Sequence, residues 1–328
     1  MVSLQGARSK ESARRPLTPA LFPSRREFAL PRWRRERETV GCAAKVNGRI
    51  ADLMKQGLRK WTLSMAGGDL DERLEGSRPQ NEYGVDPWGY SLDYTLSAVG
   101  PFLWLYKHYF RVETFGLEKV PAGRVLLISN HSGQLPVDGA MIGVAMLSEA
   151  NPPRAIRSMV EKWVPSLPFV STFFARMGQV VGTPENCRQL LEKDEAILVF
   201  PEGIKGISKL YPQRYQLQEF GLGFMRLALE TNTPIVPIAV IGGEEQAPAI
   251  VNVKPLAKLL GFPVMPLTPY GPPLPLPVKY RLHFGDPLFF TGRADDDDSE
   301  LEKKVKVVRA AIQTMIEQGL KDRKAVFW

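Results

Sequence analysis

The chain has 328 residues, 44% of them hydrophobic, and its 43 Lys and Arg against 35 Asp and Glu give a formal charge of +8. Length and apolar content suffice for a full core, while residues 1–40 hold ten Lys/Arg against four acids, leaving only +2 for the remainder, so the high charge describes a tail and gives no support for a nucleic-acid partner. Two cysteines, Cys42 and Cys187, exclude a disulfide framework and show no metal-ligand spacing with the three histidines, which points to a reducing compartment and no bound metal.

In chain order, the Pro/Arg-rich stretch "RRPLTPALFPSRREFALPRWRRERE" lacks the continuous apolar run of a secretory signal. Residues 1–45 are expected to be disordered, with weak contact to anionic surfaces. "PLTPALFPSRRE" is also similar to translated intergenic repeat DNA, which puts an alternative start near Met54 or around Val40. Residues 46–92 read as a helical segment (Ile50, Leu53, Met54, Leu58, Trp61) followed by a linker, "GGDLDERLEGSRPQ".

The third region, 93–328, is expected to be the main domain. It opens with "DYTLSAVGPFLWLYKHYF", in which Tyr, Trp, Lys and His gather toward the C-terminal half, as they do at a membrane-water interface. A helix packed on the domain's own sheet fits equally well. The apolar stretch Tyr94–Tyr106 is thirteen residues, short of the roughly 20 that a spanning helix needs, so no transmembrane segment is expected.

Beyond it, β-type runs alternate with helical segments: "RVETFG", "RVLLISN", helix 139–149, "RAIRSMV", helix 163–177, "GQVVG", helix 184–193, "AILVFPEG", helix 218–231, "PIVPIAVIG" and "KYRLHFGDP". This alternation predicts an α/β fold with a largely parallel central sheet flanked by helices. "VLLIS", "AILVF" and "IVPIAVI" are apolar throughout, as strands covered on both faces should be. Residues 254–280 interrupt the rhythm with eight prolines, which exclude regular structure and predict a long loop acting as a lid or membrane-touching element. Leu301, Val305, Val308, Ile312, Met315, Ile316 and Leu320 predict a closing helix over 298–322.

Chemistry concentrates at two strand ends. "SNHSGQLPVDGAMI" follows the strand "VLLIS", and ligands of open α/β sheets bind at carboxyl ends of strands. His131 there suits a general base if a carboxylate holds its second nitrogen, and Asp138 is the candidate. The plainer reading makes His131 a turn residue and Asp138 a cap of the following helix. "AILVFPEGIKG" ends a second strand with Glu202, Gly203 and Lys205, where glycine permits close backbone approach and lysine offers a point charge to a phosphate. By itself it reads as an ordinary strand-turn.

Four ordered blocks, "NHSGQLPVD", "PFVSTFFARMGQVVGTPEN", "FPEG" and "PIVPIAVIG", resemble the glycerolipid acyltransferase superfamily over roughly residues 80–325. The resemblance implies that His131 deprotonates an acceptor hydroxyl that attacks the thioester of an acyl-CoA or acyl-carrier protein, with Asp138 orienting the imidazole. It places Asn130, Ser132, Pro201, Glu202, Gly203 and Lys205 in substrate binding, with Lys205 where many members carry a phosphate-binding arginine. No acyl-enzyme and no further cofactor are implied. Two departures stand out: six residues separate His131 from Asp138 where the common pattern has four, so the loop must fold back, as in a bacterial branch with "NHSGxLPxD"; and the arginine of the second block has no counterpart in "VVGTPEN".

Other motifs carry less. No G-x-S-x-G elbow is present; "GLGFMR" reads as core packing, His108 and His283 as structural, and "ADDDDSE" as a charged helix start. The expected protein is thus a cytoplasmic acyltransferase on the inner face of a membrane, acting on a lysophosphatidate-like glycerolipid. A neutral mono- or diglyceride acceptor and a non-catalytic lipid-binding protein of the same fold are the alternatives.

Overall fold

The computed structural model describes residues 32–328 except 76, 77, 79, 133–135, 254, 256, 258–265, 272, 273 and 328, with side chains from residue 49 onward. The chain divides into two compact units, Met1–Ala51 and Asp52–Trp328. In the first, the described backbone is helical from Arg32, inside the stretch expected to be a disordered tail. Everything below concerns the second unit.

Seven strands form its sheet: β1 (Glu113–Phe115), β2 (Val125–Ser129), β3 (Arg157–Val160), β4 (Val180–Val181), β5 (Ala196–Val199), β6 (Ile235–Ile241) and β9 (Arg281–Phe284). Their order is β1-β9-β6-β2-β5-β3-β4, and every pairing is parallel except β6 with β9. β7 (Val251–Asn252) and β8 (Pro266–Leu267) pair separately, antiparallel. The largely parallel α/β sheet expected from the alternation is present.

The uniformly apolar strands are covered on both faces. Leu127 of β2 and Leu198 of β5 pair in register and point into one core, with α3 (Leu92–Ala98), α4 (Gly100–Trp104) and α5 (Val137–Ser148) above them. Leu126, Ile128 and Ile197 point to the other, closed by α7 (Pro184–Glu192), α9 (Gly223–Thr231) and the C-terminal α11 (Asp298–Asp322). α11 contributes Leu301, Val305, Val308, Ile312 and Ile316 along one stripe, as its spacing predicts. Complete burial of such a side chain contributes about 1.5–3 kcal/mol, so strands without a polar face are favoured where both faces are covered.

Two differences from the sequence expectation have physical causes. The described residues of 67–92 are packed against the main body: α2 (Leu70–Leu74) buries Leu70 and Leu74, and the fully buried Arg157 of β3 pairs with Asp86 and Glu195 while Arg78 pairs with Glu195. These long-range ion pairs leave no trace in local pattern. Of the two readings of segment 93–110, packing on the domain's own sheet is the one present: Leu96, Leu103, Tyr106 and Phe110 turn into the core, and Trp104 is exposed. The helix expected over 218–231 begins at Gly223, because Gln218 N and Gly221 N before it donate to Glu202 Oε2 and Pro201 O of the second turn and not to helical partners.

Candidate functional site

The carboxyl ends of β2, β5 and β6 bring the two chemistry-bearing turns together. Asn130 anchors the first turn: its Nδ2 donates to Val240 O at 3.1 Å and its Oδ1 accepts from Val240 N at 2.8 Å, so its side chain continues the β2–β6 ladder beyond the last strand residue. His131, next in the chain, is thereby directed out of the sheet.

The two ends of the six-residue connection meet. His131 Nδ1 lies 2.7 Å from Asp138 Oδ2. Asp138 is the second residue of α5 and fully buried, with Pro136 in the capping position, so it is a first-turn residue whose carboxylate faces the histidine. Ser132 N and Gly139 N donate to the same carboxylate at 2.9 and 2.7 Å. The imidazole also stacks on Phe200, ring centroids 4.2 Å apart. With Nδ1 engaged by an acceptor, the neutral ring carries its proton there and leaves the Nε2 lone pair free.

Glu202 binds the second turn to the first. Its Oε1 accepts the His131 backbone N–H at 2.9 Å, and its Oε2 accepts Gln218 N at 2.8 Å. The fully buried side chain also has Lys209 Nζ 3.4 Å from Oε2, and Lys209 in turn lies 2.6 Å from Glu244 Oε1. Both Glu202 oxygens are therefore occupied by the protein. Gly203 has φ +54 and ψ −140, a conformation only glycine adopts without strain. Gly206, on the single-turn helix α8 (Ile204–Ile207), sits so close that an added Cβ would be 2.8 Å from His131 Cβ and 3.0 Å from Glu202 Cβ. Lys205 points outward, its Nζ 3.0 Å from Glu219 Oε2 in an exposed pair.

Lys209, Glu244 and Gly206 are site residues the sequence reading did not single out. The available signal was the pair of acids in "GGEEQ" directly after the fully apolar β6, now the buried turn α10 (Gly243–Gln246). Burial pushes the Glu244 carboxyl up to about 7, Lys209 opposing and Glu202 adding to the shift.

His131 lines a cavity of about 570 Å³ bounded by α5, α6 (Val170–Arg176) and β3. Val144, Leu147, Met159, Phe173 and Phe200 give it an apolar wall, and α5 presents Gly139 and Gly143 to it. The volume is of the order of one long acyl chain. Of the proline-rich segment, Pro266 in β8 reaches the cavity; residues 258–265, the middle of the expected lid, lie outside the described residues. Among the described residues no group of three or more His, Cys, Asp or Glu is placed to hold a metal ion, and no helix is long and apolar enough to cross a membrane.

A family model described as Acyltransferase matches residues 111–241, which span β2, both turns and β6. An uncharacterized protein of Mycobacterium leprae is 37% identical over 273 residues, 80% of this chain and 73% of that protein. A Gallus gallus protein named "DGAT1/2-independent enzyme synthesizing storage lipids" is 25% identical over 209 residues, 62% of this chain and 58% of its own length. Among solved structures, the 1-acyl-sn-glycerophosphate acyltransferase PlsC of Thermotoga maritima aligns with a TM-score of 0.48 at 17% identity, covering 84% of this chain and 99% of that one.

Proposed function

Because the chain belongs to the acyltransferase family, within the glycerolipid acyltransferase superfamily, we propose that it moves a fatty acyl group from a thioester donor, acyl-CoA or acyl-carrier protein, to a hydroxyl of a glycerolipid, with His131 as general base. The observation that carries this reading is the 2.7 Å contact of His131 Nδ1 with the buried Asp138, made by a histidine that also lines the apolar cavity. Asp138 holds the ring so that Nε2 faces an incoming hydroxyl. The hydroxyl oxygen attacks the thioester carbonyl as Nε2 takes its proton; the C–S bond then breaks, and the imidazolium returns the proton to the departing sulfur. One ester forms, one thioester is consumed, and the protein is unchanged. The cavity walls bury the acyl chain and exclude water that would otherwise hydrolyse the thioester.

A glycerol hydroxyl is common to two acceptor classes: the lysophosphatidate-like acceptor that the sequence resemblance implies, and a neutral glyceride, in keeping with the storage lipids in the name of the Gallus gallus relative. Such acceptors reside in membranes, and the exposed Leu53, Met54, Leu58 and Trp61 of α1 (Arg32–Ala66), with Trp104 and Phe169, supply apolar surface for peripheral attachment. The test is purified protein given radiolabelled acyl-CoA and acyl-carrier protein with a panel of acceptors. Turnover is expected, with His131→Ala lowering it about 10²-fold to 10⁴-fold while lipid binding persists. Equal activity in His131→Ala would remove the mechanism, and binding without turnover in the unaltered protein would favour a lipid-binding role.

A further inference from the structure

Resting on the acyl-transfer reading, we propose that a lipid bilayer docks on the 163–175 segment, with Phe169 as its anchor, so that the acyl chain enters the cavity from the bilayer past α6.

The sequence supplies the first ground. "WVPSLPFVSTFFA" runs from Trp163 to Ala175 without a charge, between Lys162 and Arg176. A stretch that is apolar in the middle and cationic at both ends matches the layering of a bilayer, whose phosphates lie outside its hydrocarbon. Lys162 is exposed, while the Glu161 carboxylate beside it faces the second turn, its Oε1 3.7 Å from where a Cβ on Gly203 would stand.

Phe169 is the tip of this segment. It holds φ +63 and ψ −43, a conformation that residues with a side chain rarely adopt, and it is 91% exposed. Backbone strain and an aromatic ring in water both oppose this arrangement, and entry of the ring into hydrocarbon offsets them. Val170, next to it, is exposed as well.

α6 separates that tip from the cavity. Val170, Phe173 and Phe174 line the cavity, yet none of the side chains of α6 is buried. The wall is thus one helix thick, apolar toward the acyl chain and apolar at its outer tip.

The two ends of α6 are held differently. At its C-terminal end Arg176 O accepts Ser91 N at 3.1 Å and Thr95 Oγ1 at 3.4 Å, and Gly178 is packed so that an added Cβ would stand 3.2 Å from Tyr90 Cδ2. Toward its N-terminal end, Val164 N, Leu167 N, Val170 N and Ser171 N donate to carbonyls within 161–168. Phe173 meets Phe102 and Tyr94 through ring contacts at 6.1 and 6.4 Å, which lipid chains can replace. The end that carries Phe169 is therefore the end that yields when the ring enters a bilayer, and its movement uncovers the cavity.

Sedimentation of full-length protein with vesicles of phosphatidylcholine and about one-fifth phosphatidylglycerol tests the docking. Phe169→Asp is expected to weaken binding about tenfold to hundredfold and Phe169→Trp to preserve it. Val307→Asp, at an exposed site on α11, which covers the other face of the sheet, should leave binding unmoved. With long-chain acyl-CoA and a glycerolipid acceptor in the same vesicles, Phe169→Asp is expected to lose turnover about tenfold or more. Equal vesicle binding by Phe169→Asp and the unaltered protein overturns the proposal. So does a dimer of vesicle-free protein that Phe169→Asp dissociates, since a second copy would then cover the segment. Weakened binding with turnover retained overturns entry past α6. Absence of product from the unaltered protein, no different from His131→Ala, overturns the acyl-transfer reading and entry with it, while sedimentation still decides the docking.

Discussion

Glu202 Oε1 accepts the backbone N–H of His131 at 2.9 Å, although the two residues are 71 positions apart in the chain. The second turn thus holds the first from behind, and the same carboxylate reaches the 215–218 segment through Gln218 N and Lys209 through Oε2. Its role in this geometry is to position the histidine, whereas the sequence resemblance puts it in contact with the acceptor.

Kinetics separate these roles. Glu202→Gln turns one oxygen into a donor that faces Lys209 or a backbone N–H, loosening the His131 turn. The expected result is kcat lowered about 10-fold to 100-fold with acceptor KM within about threefold, since an interaction within the protein is lost and no ground-state contact with substrate. A raised KM at unchanged kcat would identify Glu202 as an acceptor ligand.

Asp138→Asn tests the orienting partner. Asparagine keeps the shape but lets its amide nitrogen face Nδ1, which favours the tautomer with Nε2 protonated and removes the lone pair the mechanism requires. Acyl transfer should fall about 10²-fold to 10⁴-fold with the melting temperature little changed. Activity within a factor of two of the unaltered protein would remove Asp138 from the mechanism.

Buried Glu244 makes stability depend on pH with a definite sign. Burial pushes its carboxyl in the folded protein up to about 7, above the ordinary value of 4.5, so between those values the folded state holds the extra proton. Stability from this group is therefore fully present below about 4.5 and is lost as pH rises toward 7, by up to about 1.4 kcal/mol per pH unit. Glu244→Gln abolishes that slope. Urea unfolding at pH 5 and pH 7.5 should show the variant gaining on the unaltered protein at the higher pH; parallel pH dependences would contradict the assignment.

How much of this was legible in the sequence follows from the range of the interactions. β2, β5 and β6 were, because uniform apolarity needs only local pattern, and so was the His131 turn, since a histidine at a strand end has few places to point. Asp138 was legible as a partner but its reach across six residues was a question only the folded loop answers, through Ser132 N and Gly139 N closing on the same carboxylate. Lys209 and Glu244 were not legible: nothing local in "ISKLY" or "GGEEQ" marks either for burial, and the ion pair they form joins residues 35 positions apart. The segment read as a linker, 67–80, is docked by equally distant partners, with Leu70 and Leu74 buried and Arg78 paired with Glu195.

Gly206 shows how little room the two turns leave. A methyl group there would meet His131 Cβ at 2.8 Å and Glu202 Cβ at 3.0 Å, and neither neighbour is the flexible end of a side chain. Gly206→Ala should cost about 1–3 kcal/mol through overpacking and displace the His131 backbone, lowering kcat about tenfold or more. Unchanged kcat with unchanged stability would mean that α8 stands further from the histidine than the contact implies.

Gly143 is the opposite case. It lines the His131 cavity on α5, and a Cβ added to it meets nothing within 4 Å, so a side chain there grows into space the acyl chain would occupy. Each methylene of donor buried along that wall contributes about 0.8 kcal/mol, so a filled cavity removes the advantage of long chains without touching the chemistry at His131. Gly143→Leu should shift the preferred donor to one shorter by several carbons, with kcat on the shorter donor retained. Folding should be maintained, because glycine inside a helix is itself destabilising by about 0.5–1 kcal/mol relative to alanine, a deficit that any side chain here relieves. Donor chain-length profiles, measured from 8 to about 18 carbons at equal thioester concentration, decide the matter: a profile superimposable on that of the unaltered protein would place the acyl chain somewhere other than this cavity.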